Sequence, residues 1–141
     1  NIAEYKCSIH SYNKDAIAFL SDMENDRHNN ILYYLDPPYI NKAHGLYDNF
    51  YSKHDHRYVA DTVKTLKSKW IVSYDADDMV KELYSGFTQI TYDLSYSAHI
   101  IRKGREFMAF SPSIILPKLF FENIGSHTDY CNMSNITFNV A

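Results

Sequence analysis

Hydrophobic positions in this chain fall into short continuous runs and into stretches with helical spacing, and the two kinds predict different elements. Ile31-Leu32-Tyr33-Tyr34-Leu35 is a continuous apolar run, the pattern of a strand covered on both faces of a parallel sheet. It stops at Asp36-Pro37-Pro38-Tyr39, because two prolines cannot continue a ladder. Trp70-Ile71-Val72-Ser73-Tyr74 is a second run of the same kind, ended by Asp75-Ala76-Asp77. Between them, Val59, Val63 and Leu66 recur at helical spacing behind His54 or Asp55, which opens the helix. Ile40 to Lys53 is a long polar and aromatic connection.

The flanks are read the same way. Tyr5 to Tyr12 alternates loosely and predicts a short strand. Asn13 or Asp15 then caps a helix through about Met23, with Ile17, Phe19 and Leu20 on its apolar side, and Glu24 to Asn30 is a loop. Asp77 or Asp78 caps a short helix, Met79 to Tyr84, which Gly86 terminates. Two strands follow, Gln89 to Tyr96 and Glu106 to Ser111. The basic turn Arg102-Lys103-Gly104-Arg105 joins them into an antiparallel hairpin that closes the sheet edge.

Alternation of strand and helix predicts an α/β fold with a mostly parallel sheet, right-handed crossovers and a C-terminal antiparallel hairpin. Residues 1–117 form one domain in this reading, and 118–141 are a polar tail of no legible role. Ligands in such sheets sit beyond the carboxyl ends of the strands. Asp36 to Tyr39 and Ser73 to Asp75 both fall there.

Composition narrows the class. A chain of 141 residues fits one domain with one modest core. Thirteen Tyr, eight Phe and few Gly or Pro argue for an ordered globular domain. The formal charge, 14 − 17 = −3, lacks the bulk signature of a nucleic-acid binder, so any such contact has to come from a local basic patch. Cys7 and Cys131 match no metal or redox spacing, the seven histidines show no ligand pattern, and free thiols with no metal are expected. No apolar run approaches the roughly 18 residues of a membrane helix and no signal peptide opens the chain, so a cytoplasmic location with no membrane partner is expected.

The strongest chemical signal is Asp36-Pro37-Pro38-Tyr39 directly after an apolar strand. A rigid surface turn is the plain alternative, but a chance match per chain is on the order of one in a thousand. The sequence suits activation of a weak amine nucleophile. An exocyclic amine on adenine has its lone pair delocalised into the ring and attacks a methyl sulfonium poorly. Two acceptors, each taking one N–H, turn the nitrogen toward tetrahedral geometry. The Asp36 carboxylate offers one, and a backbone carbonyl, that of Pro37, offers the other. Paired prolines fix φ and hold that carbonyl in place. Tyr39 gives a flat face on which a base stacks, worth about 1–3 kcal/mol. Such a site works only on a base swung out of the duplex.

The motif matches the (Asp/Asn)-Pro-Pro-(Tyr/Phe) signature of amino-methyltransferases that use S-adenosylmethionine. Tyr34-Leu35 before it, then Gly45-Leu46-Tyr47, Asp55-His56, Trp70-Ile71-Val72-Ser73-Tyr74-Asp75, Leu83-Tyr84, Tyr96-Ser97-Ala98 and Arg105-Glu106-Phe107-Met108 resemble the Dam-like (D12-class) DNA adenine methylases of phages and bacteria. The similarity runs from about Asp15 to Pro112. It implies a partial Rossmann-like S-adenosylmethionine-dependent methyltransferase sheet and double-stranded DNA as partner. It also implies that Asp36, Pro37, Pro38 and Tyr39 form the adenine-amine site. Asp15 resembles the acidic position that touches the adenosine part of the cofactor, and Asp36 also borders the cofactor; helix capping explains Asp15 equally well. Arg102, Lys103 and Arg105 correspond to residues that meet the DNA backbone, against the reading of a solvated turn. Ser73 and Asp75 are candidates to line the pocket. Asp55-His56 is read as a helix cap and anchor.

One departure matters. The family places a Phe-x-Gly-x-Gly type cofactor motif and a target-recognition region ahead of Asp-Pro-Pro-Tyr, and this chain has neither; Gly45, Gly86, Gly104 and Gly125 are isolated. The chain, opening on Asn1, is therefore expected to be an incomplete piece whose exposed sheet edge pairs with the absent N-terminal part or forms a homodimer. Two other readings stay open at this stage: an amino-methyltransferase acting on cytosine N4, RNA or glutamine amides, and a non-catalytic remnant or partner subunit.

Overall fold

The computed structural model describes residues 2–25, 30–40, 51–96, 102–117 and 129–131. A 3₁₀ helix, Ile2–Ser8, precedes α1 (Ala16–Asn25), β1 (Leu32–Leu35), α2 (Lys53–Thr65), β2 (Lys69–Asp75), α3 (Asp78–Leu83), β3 (Thr88–Tyr96), β4 (Arg102–Phe110) and β5 (Asp129–Cys131). The strands form one sheet in the order β1-β2-β4-β3-β5.

The helices begin where their polar caps place them. Asp15 Oδ1 accepts the Ala18 amide at 2.9 Å and its carbonyl accepts that of Phe19 at 3.0 Å, so Asp15 opens α1. The N-cap of α2 is Ser52, two to three residues ahead of the expected His54 or Asp55. Ser52 and Asp55 form a reciprocal capping box, a device worth about 0.5–2 kcal/mol. Its inward face follows at helical spacing, with His56, Val59, Ala60 and Val63 buried. Asp77 caps α3 by accepting the Met79 amide. Gly86, at φ +93°, takes the left-handed turn that releases the chain toward β3. Gln89 Nε2 donates to the Tyr84 and Lys81 carbonyls at 2.7 and 3.1 Å, satisfying acceptors at the α3 C-terminus.

All three helices pack on one face of the sheet. Leu20, Val59, Ala60, Val63, Val80 and Leu83 close over Tyr33, Trp70, Val72, Tyr74, Phe107 and Ala109. The opposite face holds a smaller cluster, Ile90, Phe110 and Leu116, against Ile71, Met108 and Tyr92. Glu24 fastens the last turn of α1 to the amino end of β2, its carboxylate accepting the Lys67 and Ser68 amides at 3.1 and 3.4 Å.

Several expectations change. The sheet is mixed and mostly antiparallel: among the described strands only β1–β2 is a parallel pair, while β2–β4, β3–β4 and β3–β5 are antiparallel. The crossover through α3 does bring β3 back in the direction of β2, but β4 folds between them and takes the neighbouring place. The hairpin therefore lies inside the sheet, and its outer strand β3 is flanked by β5, from the segment read as an uninformative tail. β1 is covered on one face only, since Leu32 and Tyr34 are 57% and 59% exposed while Tyr33 is buried. Residues Tyr5 to Tyr12 form no strand: their alternation has no ladder to join, and the segment is 3₁₀ and exposed coil. The basic run Arg102 to Arg105 is no turn either. It forms the start of β4, in register with Tyr96 to Asp93.

Candidate active site

The parallel β1–β2 pair places two polar strand ends side by side, with Leu35 opposite Val72. Asp36 leaves β1 one residue later, and Ser73 and Asp75 occupy alternate positions at the end of β2. A strand sends alternate side chains to one face, so Tyr34, Ser73 and Asp75 share the face away from the helices. Register then brings Glu106 opposite Asp75, and Tyr92 opposite Glu106. The result is a polar patch beyond the apolar cluster of Ile71, Met108, Phe110 and Ile90.

Within the patch, the Ser73 hydroxyl donates to Asp36 Oδ1 at 2.9 Å, with the Leu35 carbonyl a distant alternative acceptor at 3.5 Å. The Tyr34 hydroxyl in turn donates to Ser73 Oγ at 3.2 Å. Asp75 Oδ1 accepts the Ile40 amide at 2.9 Å, fastening the residue that follows Tyr39. Asp36 is exposed, and among the described residues its second oxygen carries no hydrogen bond; Pro37, Pro38 and Tyr39 are half-buried. Asp75 and Glu106 are 4% and 3% exposed. Burial raises the Tyr92 phenol above its ordinary range, and the charges of Glu106, Tyr34 and Asp36 add to the shift.

The expected site residues divide accordingly. Asp36, Pro37, Pro38 and Tyr39 form one exposed turn at the carboxyl end of β1, with Ser73 and Asp75 directly beneath it. Asp15 stands apart: its hydrogen bonds among the described residues lie within the first turn of α1. Arg102, Lys103 and Arg105 lie along β4; Arg105 Nε is 3.5 Å from Asp93 Oδ1, directly across the ladder. His56 is buried between the Tyr51 and Tyr74 rings, at 5.5 and 5.7 Å, and belongs to the core of α2. Glu106, Tyr92 and Tyr34 are additions the sequence reading did not make. The available signal for Glu106 was an acid heading the apolar run Phe107 to Phe110, a charge that burial permits only with partners. No group of three or more metal-ligating side chains occurs among the described residues, and none of their helices is long and apolar enough to cross a membrane.

Comparison with protein families gives a match. The D12 class N6 adenine-specific DNA methyltransferase family matches residues 3–98, more than half of the chain. The chain belongs to this family. The matched span contains β1, the Asp-Pro-Pro-Tyr turn, α2, β2 and β3, and so holds Tyr34, Ser73 and Asp75; Glu106 on β4 lies beyond it. No match to an individual curated protein was found. Membership in the D12 class implies methylation of DNA at adenine N6.

Proposed function

We propose that Asp36 to Tyr39 form the amine-activating site of a DNA adenine-N6 methyltransferase that uses S-adenosylmethionine. The observation that carries this reading is the Asp36 carboxylate, fixed through one oxygen by Ser73 and, among the described residues, without a hydrogen bond at the other. The adenine is swung out of the duplex and stacks on Tyr39. Its N6 amine donates one N–H to Asp36 Oδ2 and the other to the Pro37 carbonyl. That pair of acceptors localises the nitrogen lone pair and points it away from the protein. As nitrogen gains the methyl group it loses one proton, which leaves along the hydrogen bond to Asp36. Positioning and fixed acceptors supply the rate enhancement, and the step needs no metal.

Asp15 and Asp36 are the residues here that would hold the cofactor, which supplies an electrophilic methyl on a sulfonium. The fit is that of acidic groups: Asp15 keeps one carboxylate oxygen without a hydrogen bond among the described residues, while Asp36, whose second oxygen takes the adenine amine, would face the cofactor as a neighbouring negative charge. The last turn of α1 is fastened at the amino ends of the strands, so Asp15 lies at the end of the helix away from it. The glycine-rich turn that would complete a cofactor cradle is not in the sequence, which supports weak cofactor binding by this chain alone. Arg102, Lys103 and Arg105 supply the local positive charge for the DNA backbone, against a net charge of −3. Among the described residues β1 pairs only with β2. Its outer edge, beside exposed Leu32 and Tyr34, is the place for a strand from a preceding part of the protein or from a second copy.

The test is transfer of labelled methyl from S-adenosylmethionine to unmethylated DNA, RNA and protein, by this chain and by the full gene product. Label on adenine N6 of DNA supports the reading. Label on cytosine, RNA or protein, or none by either preparation, would refute it.

A further inference from the structure

The two ends of the Asp-Pro-Pro-Tyr turn are tied down by alternate residues of a single strand. Asp36, at the start, is held by the Ser73 hydroxyl at 2.9 Å, and Ile40, just past the end, donates its amide to Asp75 Oδ1 at 2.9 Å. Ser73 and Asp75 are both buried and lie two residues apart on β2, so they project from the same face. β2 is itself held on both sides, by β1 and β4, and its neighbouring side chains Val72 and Tyr74 are locked in the helix-covered core. From these observations we infer that Ser73 and Asp75 are positioning residues that clamp the catalytic turn to the rigid strand β2. The inference rests on the reading of Asp36 as acceptor of the adenine amine.

The chemistry of the two ties differs. A serine hydroxyl has one proton, and the 2.9 Å partner Asp36 takes it in preference to the Leu35 carbonyl at 3.5 Å. The hydroxyl of Tyr34, donating at 3.2 Å, occupies a lone pair of Ser73 and turns that proton toward Asp36. Asp36 Oδ1 is thereby committed and the carboxylate cannot rotate freely, which leaves Oδ2 aimed outward. At the other end, Asp75 acts as an acceptor of a backbone N–H. It replaces the ladder partner that the chain gives up on leaving β1, and so fixes where the Pro37 carbonyl and the Tyr39 ring lie. That role does not require a carboxylate, since an amide oxygen accepts the same N–H. Clamping two acceptors to within a fraction of an ångström is the kind of restraint whose loss lowers a rate steeply, about ten- to a hundred-fold for a small misplacement.

The experiment combines kinetics with a readout independent of activity, using the full gene product as the enzyme. Ser73→Ala and Asp75→Ala are expected to lower kcat for DNA methylation about ten- to a hundred-fold, with KM for DNA changed less than about twofold. Asp75→Asn, which keeps the acceptor, is expected to recover most of the rate lost in Asp75→Ala. In parallel, NMR on this chain should find the Ile40 amide protected from exchange in the unaltered protein and in Asp75→Asn, and exposed in Asp75→Ala. The Asp36 carboxyl carbon resonance should move in Ser73→Ala. Normal turnover by Ser73→Ala and Asp75→Ala would overturn the clamp, as would an unprotected Ile40 amide in the unaltered protein. Should the unaltered enzyme methylate no DNA, the functional reading fails, while the two NMR readouts still decide the clamp.

Discussion

Asp75 and Glu106 stand directly opposite one another across the β2–β4 ladder, and both acids are buried. Paired acids inside a fold are costly unless other groups share the site, and here Tyr92 lies next in the row, opposite Glu106. Its phenol is raised first by burial and then by the negative charge of Glu106. Titration of the unaltered chain and of Glu106→Gln, followed by tyrosine carbon NMR, is expected to place Tyr92 above the ordinary value of about 10. The variant should bring it partway down, leaving the contribution of burial. An unchanged Tyr92 titration would separate Glu106 from the site.

His56 gives the fold a pH dependence of definite sign. Its ring is buried against Tyr51 and Tyr74, and Nδ1 has no hydrogen-bond partner among the described residues. Burial lowers its pKa, with Asp55, Asp75 and Asp77 pulling weakly the other way. The unfolded chain therefore takes up a proton on His56 before the folded chain does. Stability contributed by neutral His56 is full above about pH 6.5 and declines as the pH falls below it. Denaturant unfolding at pH 7 and pH 5.5 should show a smaller pH difference in His56→Phe than in the unaltered chain. An equal difference in both would place the proton uptake elsewhere.

Glu24 carries the opposite linkage. Burial works against its charge, but hydrogen bonds from Ser68, Lys67 and Tyr33 outweigh it and hold the carboxyl below its usual pKa. Its contribution is present above about pH 4.3 and is lost as the pH falls through the lowered value. Glu24→Ala is expected to destabilise the chain by about 1 kcal/mol at pH 7, with the difference shrinking in acid. Thermal unfolding at pH 7 and pH 3.5 checks this, and an equal loss at both would point to packing in place of the two amide bonds.

Much of the candidate site is legible in the sequence alone, and the reason is local. Asp36-Pro37-Pro38-Tyr39 ends a strand because of its prolines, and the apolar runs at Ile31–Leu35 and Trp70–Tyr74 need no distant information to be read as strands. What stayed hidden depends on partners far along the chain. That Ser73 and Asp75 grip the turn follows from the β1–β2 register, set by residues 37 positions apart. That the sheet is mostly antiparallel follows from β4 entering between β2 and β3, a choice no periodicity records. Arg102 to Arg105 looked like a turn because Gly104 and three charges break the apolar pattern, yet the ladder with β3 carries on through them. Tyr5 to Tyr12 failed in the converse way: alternation without a neighbouring strand is no strand. The single covered face of β1 likewise escaped a reading based on one run of five apolar residues.

In the proposed mechanism everything depends on Asp36 accepting the amine that becomes methylated. Single-turnover transfer of labelled methyl to DNA by the full gene product and its Asp36→Ala variant probes that contact, with thermal unfolding of both as the control for the fold. The expected result is a rate about 10²–10³-fold lower in Asp36→Ala at an unchanged melting temperature, because Asp36 is exposed and its side chain makes one hydrogen bond among the described residues. A variant that transfers methyl to adenine at the rate of the unaltered enzyme would remove Asp36 from the chemistry and the mechanism with it.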